Sequence, residues 1–327
     1  MRSEMNARTI VYGIGAIGGL VAGRLHSAGG ELTAVEPWAA QRETVANEGL
    51  RIANLDGSVE RHRPPVIAPE ALEGPVDLCL LAVKSYDTEA ALERLQRCLA
   101  PDGLVVSLQN SINEERLVPV LGAERVLGGV VLVNAVLLEP GLITATASVS
   151  RAAAAARLPG VYVAKYLRPA GDKARRVARL LDAVWPAETI DDLLAERWNK
   201  MVTNCALNPT SGISGLGSAA LLASAPARRA IIGIAAEVLR VAAGEGHPLE
   251  RVMGDTPAAD VYAGAAGTSH AFDRALAARA ARVSPNAATS LLQDVLRGRR
   301  TEVDADCLEI SATRRTVAGR PAAKSAP

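Results

Sequence analysis

Lysine and asparagine recur at four-residue spacing in the stretch Arg197-Trp-Asn-Lys-Met-Val-Thr-Asn-Cys-Ala-Leu-Asn-Pro209. On a helix this spacing stacks Lys200, Asn204 and Asn208 along one side, beside an apolar stripe of Leu194, Trp198, Met201, Val202 and Cys205. A protonated lysine can give a proton to, or stabilise, negative charge developing on a ligand, and asparagines can orient that ligand without adding charge. Asparagine costs about half a kcal/mol or more relative to alanine inside a helix, so two of them at the border of an apolar stripe call for a polar partner. The competing reading is the solvated face of an ordinary amphipathic helix.

A second constellation lies near the start of the chain. Gly13-Ile14-Gly15-Ala16-Ile17-Gly18 follows a short β-rich run, 9–12, and opens a helical pattern that continues to about Ala28. In that context the first glycine permits a tight turn, the second lets backbone approach a pyrophosphate, and the third lets helix pack on strand, with the helix N-terminus facing the phosphates. Glu36 ends the next strand, where an acidic side chain accepts from an adenosine ribose 2′-hydroxyl and repels a 2′-phosphate, which favours NADH over NADPH. Arg42 could still serve a 2′-phosphate, and Glu36 could be a surface carboxylate before Pro37. Lys84 follows a further strand and points to the crevice where such a cofactor lies, or starts a surface helix.

These residues need a frame. Strand signals at 9–12, 31–35, 76–83 and 103–108 alternate with turns or helical patterns, which predicts a parallel, doubly wound sheet of the Rossmann type. Runs at 50–54 and 59–63 flank Asp56-Gly57 as a hairpin; 126–138 and 142–147, joined at Glu139-Pro-Gly141, are expected at the sheet edge, with 161–164 a further strand. Alanine-rich 152–156 receives no role. From Gly171 the strand signal stops and helical periodicity takes over, at 172–184, 191–208, 226–243, 271–282 and 285–297, the last with Ser284 as cap and Pro285 in the first turn. The expected organisation is a dinucleotide-binding domain over 1–187, an all-helical substrate domain over 188–312, and a disordered tail over 313–327.

Composition narrows the functions. With 36 basic and 35 acidic residues the net charge is +1, and aromatics are 3% with a single Phe, so neither a strong basic field nor a base-stacking surface points to nucleic acid. The start of the chain does not resemble a signal peptide and no apolar run reaches the ~20 residues of a bilayer span, so the expectation is a cytoplasmic protein without membrane partners. The four cysteines and four histidines lack metal-ligand spacing; no metal is expected and the thiols are read as reduced.

Together, Gly13-x-Gly15-x-x-Gly18, the strand ending in Lys84, Leu108-Gln-Asn110, Lys200-x-x-x-Asn204-x-x-x-Asn208-Pro209, and Ser290-Leu-Leu-Gln-Asp294 leading to Thr301-Glu302-Val-Asp304 resemble the ketopantoate reductase family over nearly the whole chain to Asp304. The resemblance implies reduction of 2-dehydropantoate to (R)-pantoate by hydride from NADPH or NADH, on the route to pantothenate and coenzyme A. It implies Lys200 as general acid, Asn110 at the nicotinamide and the substrate, Asn204, Asn208 and Ser290 on substrate polar groups, Glu302 on the substrate hydroxyl and Lys84 near the cofactor. A related 2-keto acid, or a dinucleotide-sensing protein without turnover, are the alternatives.

Three positions depart from the family pattern. Ser111 stands where the family usually has glycine; Glu36 runs against the family's usual NADPH preference; and after Asp304 the chain departs from the family's further helices, which is expected to expose apolar surface in the substrate domain, either covered by a partner subunit in a homodimer or left as a stability defect. Ser290 and Glu302, twelve apart, would diverge by about 120° on one unbroken helix, so a break at Gly298 is expected.

Overall fold

Buried β-branched and leucine runs build the first half of the molecule. Strands β1 (Thr9–Tyr12), β2 (Leu32–Val35), β6 (Val76–Leu81) and β7 (Leu99–Ser107) carry Val11, Leu80 and Val106 to one face of a sheet and Ile10, Cys79, Leu81 and Val105 to the other. A sheet apolar on both faces must be covered on both. Helices α1 (Ala16–Ser27) and α5 (Asp172–Leu181) contribute Leu20, Val21, Val177 and Leu181 to the first core; α3 (Thr88–Cys98) and α4 (Glu114–Leu121) contribute Leu92, Leu95, Leu117 and Leu121 to the second. This computed structural model describes residues 8–54, 56–133, 135–145, 160–284 and 287–305. The expected tail lies outside them.

With β5 (Val66–Ile67), β8 (Val126–Val131), β11 (Val161–Lys165) and β12 (Ala187–Thr189), the sheet has eight strands in the order β12-β11-β8-β7-β6-β1-β2-β5. All pairs are parallel except β11 against β8. The chain leaves β1 toward β2 and β5, then returns to β6 on the other side, so the topological switch lies between β1 and β6. The doubly wound sheet is as expected. The first compact unit runs to Leu193, and β12, paired with β11, belongs to it.

A second sheet, β4-β3-β10-β9, joins β3 (Leu50–Ala53), β4 (Val59–His62), β9 (Ala135–Glu139) and β10 (Leu142–Ala145). The hairpin at Asp56-Gly57 forms as read, with Gly57 at φ +83°. Two expectations fail here. The run 126–138 is not one edge strand: its first half, β8, is wholly buried between β7 and β11, and its second half, β9, leaves for the second sheet. Strand structure also continues past Gly171, in β12 and the pair β13 (Arg251–Val252) and β14 (Thr256–Pro257); at two or three residues each, these are too short for an alternation to be read.

The second unit, from Leu194, is helical apart from that pair: α6 (Leu193–Ser214), α7 (Ser218–Ala223), α8 (Ala225–Gly244), α9 (Ala258–Ala265), α10 (Ala271–Ala280) and α11 (Ser290–Leu296). Helix α6 runs past its expected end at Asn208 and includes Pro209. The proline forfeits one intrahelical bond, but the turn beyond it is packed and bonded: Thr210 Oγ1 donates to the Ala206 carbonyl, Ser211 is buried, and Gly212 lies against Leu291 of α11. The expected cap at Ser284 is replaced by Thr289, whose Oγ1 accepts from Leu292 N–H at 3.2 Å; Pro285 lies outside the described residues. Among the described residues no helix is long and apolar enough to cross a membrane.

Candidate functional site

The glycine loop follows β1 directly. Gly13 has φ +87°, and a side chain there would meet the Val83 backbone nitrogen at 2.7 Å. A side chain on Gly18 would overlap the Gly13 carbonyl oxygen, so helix and loop touch through bare backbone. Around Gly15, by contrast, there is nothing within 4 Å of a built Cβ. The three glycines therefore divide into a turn, an open approach and a close contact. Gly15 precedes α1, whose first-turn N–H groups, among them those of Ala16, Ile17 and Gly18, have no carbonyl earlier in the helix to bind. Open backbone at a helix N-terminus suits a phosphate.

The Ile14 backbone is held from both sides. Its N–H donates to Glu36 Oε2 at 2.6 Å, and its carbonyl accepts from Gln41 Nε2 at 2.7 Å. Glu36 Oε1 accepts from Trp38 N–H at 2.7 Å, and the side chain is 5% exposed. Burial pushes the Glu36 carboxyl above its ordinary range, against the pull of the Trp38 and Ile14 N–H groups and the Arg42 charge. Arg42, the candidate for a 2′-phosphate, donates to the Glu36 and Pro37 carbonyls at 2.8 and 3.3 Å.

Beside Glu36, the strand ends and α3 enclose a cavity of about 440 Å³ lined by Tyr12, Pro37, Val83, Asp87, Ala91 and Arg94 among others. It opens at the switch between β1 and β6, where an open parallel sheet receives ligands. Burial raises the Tyr12 phenol to about 12, so the ring meets this cavity uncharged. Half-buried Lys84 stands directly before the short helix Ser85–Asp87 that follows β6.

Asn110 sits on the turn after β7, half-buried, its carbonyl accepting from Asn113 Nδ2 at 2.6 Å. The same Nδ2 donates to Ser85 Oγ at 3.1 Å, and Gln109 Nε2 donates to the Val83 carbonyl at 3.0 Å and Thr88 Oγ1 at 2.8 Å. Buried Gln109 and Asn113 thus tie the loop bearing Asn110 to the loop bearing Lys84. Ser111, 4% exposed, has φ +63°, the left-handed region that glycine occupies without strain.

In the second unit, α6 carries Lys200 and Asn204 half-buried and Asn208 buried, beside buried Trp198, Met201, Val202 and Cys205. At 1.5 Å per residue the row extends about 12 Å. Helix α11 meets the far end of α6 through Leu291 on Gly212, one turn beyond Asn208, while its first residue Ser290 is exposed. Gly298 at φ +62° breaks the chain after α11, as expected, and Glu302 is half-buried in the turn that follows. Among the described residues no group of acidic, histidine or cysteine side chains could hold a metal ion.

Gln41, Gln109 and Asn113 carried no role in the sequence reading beyond the Gln-Asn motif. Gln41 had a signal: it lies four residues before Val45, and these two are the buried positions of α2 (Ala39–Glu48), so an amide occupies an apolar stripe.

Two family models match this chain: Ketopantoate reductase PanE/ApbA over residues 9–154 and Ketopantoate reductase PanE/ApbA C terminal over residues 192–311. A 2-dehydropantoate 2-reductase of Halobacterium salinarum is 30% identical over 91% of this chain and 88% of its own. One of Archaeoglobus fulgidus is 28% identical over 91% and 87%. Among solved structures, a PanE/ApbA family ketopantoate reductase from Ralstonia eutropha matches with a TM-score of 0.75 and 25% identity, covering 95% of this chain and 92% of that one.

Proposed function

The chain belongs to the ketopantoate reductase family, and from that premise we propose that it reduces the ketone of 2-dehydropantoate to (R)-pantoate with a nicotinamide dinucleotide. The observation that carries this is that the matches take in both the glycine loop and the Lys200 to Glu302 stretch. The dinucleotide fits this chain's residues: an open Gly15, a helix N-terminus behind it, a carboxylate at the end of β2 and a cavity at the switch point. Glu36 supports NADH, since its carboxylate can accept from ribose hydroxyls and would repel a 2′-phosphate, while Arg42 is bonded to backbone carbonyls. The nicotinamide, when bound, supplies hydride.

Lys200 gives the proton that the carbonyl oxygen requires as it gains negative charge. Asn204 and Asn208, on the same side of α6, take substrate polar groups with Ser290, and Glu302 accepts from the substrate hydroxyl, while Asn110 serves the nicotinamide. Lys84 lies at the cofactor. The helical unit binds the 2-keto acid and the sheet unit binds the dinucleotide. The test follows NADH and NADPH oxidation with 2-dehydropantoate and other 2-keto acids. Turnover fastest with 2-dehydropantoate and NADH supports the reading; dinucleotide binding without turnover on any of them rejects it.

A further inference from the structure

The Ile14 carbonyl and the Gly15 N–H belong to one peptide unit. A trans peptide is planar, so the direction of its N–H is opposite to that of its carbonyl. Gln41 holds this carbonyl at 2.7 Å, and being 1% exposed it has no alternative partner in water. Its other atom is fixed as well: Oε1 accepts from Gly141 N–H at 2.8 Å, in the turn between β9 and β10. Gly141 is pinned there, because its carbonyl accepts from Arg51 N–H of β3 at 2.8 Å. The amide of Gln41 is therefore anchored to the second sheet and aimed at the loop. Glu36 holds the preceding peptide through Ile14 N–H. Without Gln41, the Gly15 peptide would be free to rotate in a region where glycine itself offers little resistance.

We propose that Gln41 is a positioning residue for dinucleotide binding: by fixing the Ile14 carbonyl it aims the Gly15 N–H at the pyrophosphate. The inference rests on the loop being the dinucleotide site. It also gives the second sheet a task, as the base that holds Gln41. Gln41→Glu retains an acceptor for Gly141 but loses the donor to Ile14; Gln41→Met keeps the volume and loses both; Gln41→His offers one donor and one acceptor. The full-length proteins are titrated with NADH by fluorescence, with kcat measured at saturating NADH and thermal unfolding followed in parallel. The expected result is an NADH Kd raised about tenfold in Gln41→Glu and Gln41→Met, kcat within about twofold of wild type, and most of the affinity restored in Gln41→His. A Kd unchanged in Gln41→Glu and Gln41→Met, or a loss confined to kcat, overturns the proposal. If wild type itself binds neither NADH nor NADPH, the dinucleotide reading fails rather than the geometry of Gln41. Should Gln41→Glu not fold, Gln41→Met and Gln41→His carry the same comparison.

Discussion

The strand ends of the first unit and the Lys200 helix of the second solve the same task, holding polar atoms where a ligand needs them, in opposite ways. In the first unit the loops that carry the candidate residues come from separate strands, and buried amides and a carboxylate fix their main chain: Ile14 by Glu36 and Gln41, the Asn110 carbonyl by Asn113, and the Val83 carbonyl by Gln109. In the second unit the row consists of side chains on one helix, and helical geometry alone aligns them. Substitutions in the first unit therefore act through binding and stability, whereas substitutions in the row act on turnover. The largest expected effect tests that division. Lys200→Ala lowers kcat by about 10²-fold or more while leaving the NADH Kd within about twofold, measured by steady-state rates and by titration. Equal kcat for the two proteins would remove Lys200 from the chemistry.

Next comes Glu36, the first-unit side chain proposed to accept from the cofactor's ribose. Glu36→Ser removes the acceptor for ribose and the repulsion of a 2′-phosphate, so the ratio of NADH to NADPH affinity falls about tenfold or more. The same residue confers a pH dependence whose sign follows from its burial. Because burial raises the free protein's Glu36 carboxyl, the ionised form that accepts from ribose is lost on acidification at a pH above the usual carboxylate range. NADH binding should weaken as pH falls through that raised value, and Glu36→Gln should flatten the profile. In the protein without ligand the sign reverses: the stability owed to the raised value is complete at low pH and is lost as pH rises through it.

How much of this was legible follows from the same contrast. The row on α6 was readable because one element and one period suffice, and the glycine loop because its strand, turn and helix are contiguous. The clamps were not, since Gln41 and Ile14 are 27 residues apart and Gln41 and Gly141 are 100 apart, and only the folded sheets bring them together. The misread β8 had its signal in plain view: a continuous apolar run with glycines at 128 and 129 belongs to a buried strand, where Leu193 and Leu108 take the space of the missing side chains. Asn113→Ala probes the clamps without touching a proposed ligand contact. It leaves the Asn110 carbonyl and Ser85 without this donor and should cost about 1–3 kcal/mol in chemical denaturation, with a smaller effect on kcat than Lys200→Ala.

The smallest expected effect separates strain from contact at Ser111. Its φ of +63° places a Cβ where glycine alone is relaxed, and the strain sits beside Asn110. Comparing Ser111→Ala with Ser111→Gly cancels the hydroxyl, which both lack. The left-handed conformation costs a side chain about 1–2 kcal/mol, and glycine's greater freedom in the unfolded chain offsets about 0.5–1 kcal/mol of that. Ser111→Gly should therefore be the more stable of the two by about 0.5–1 kcal/mol in denaturant unfolding. If the two unfold alike, the turn has relaxed around the side chain and Ser111 stores no strain. If Ser111→Gly is more stable while the substrate KM rises equally in both, the hydroxyl serves the ligand, and the strain is the cost of placing it there.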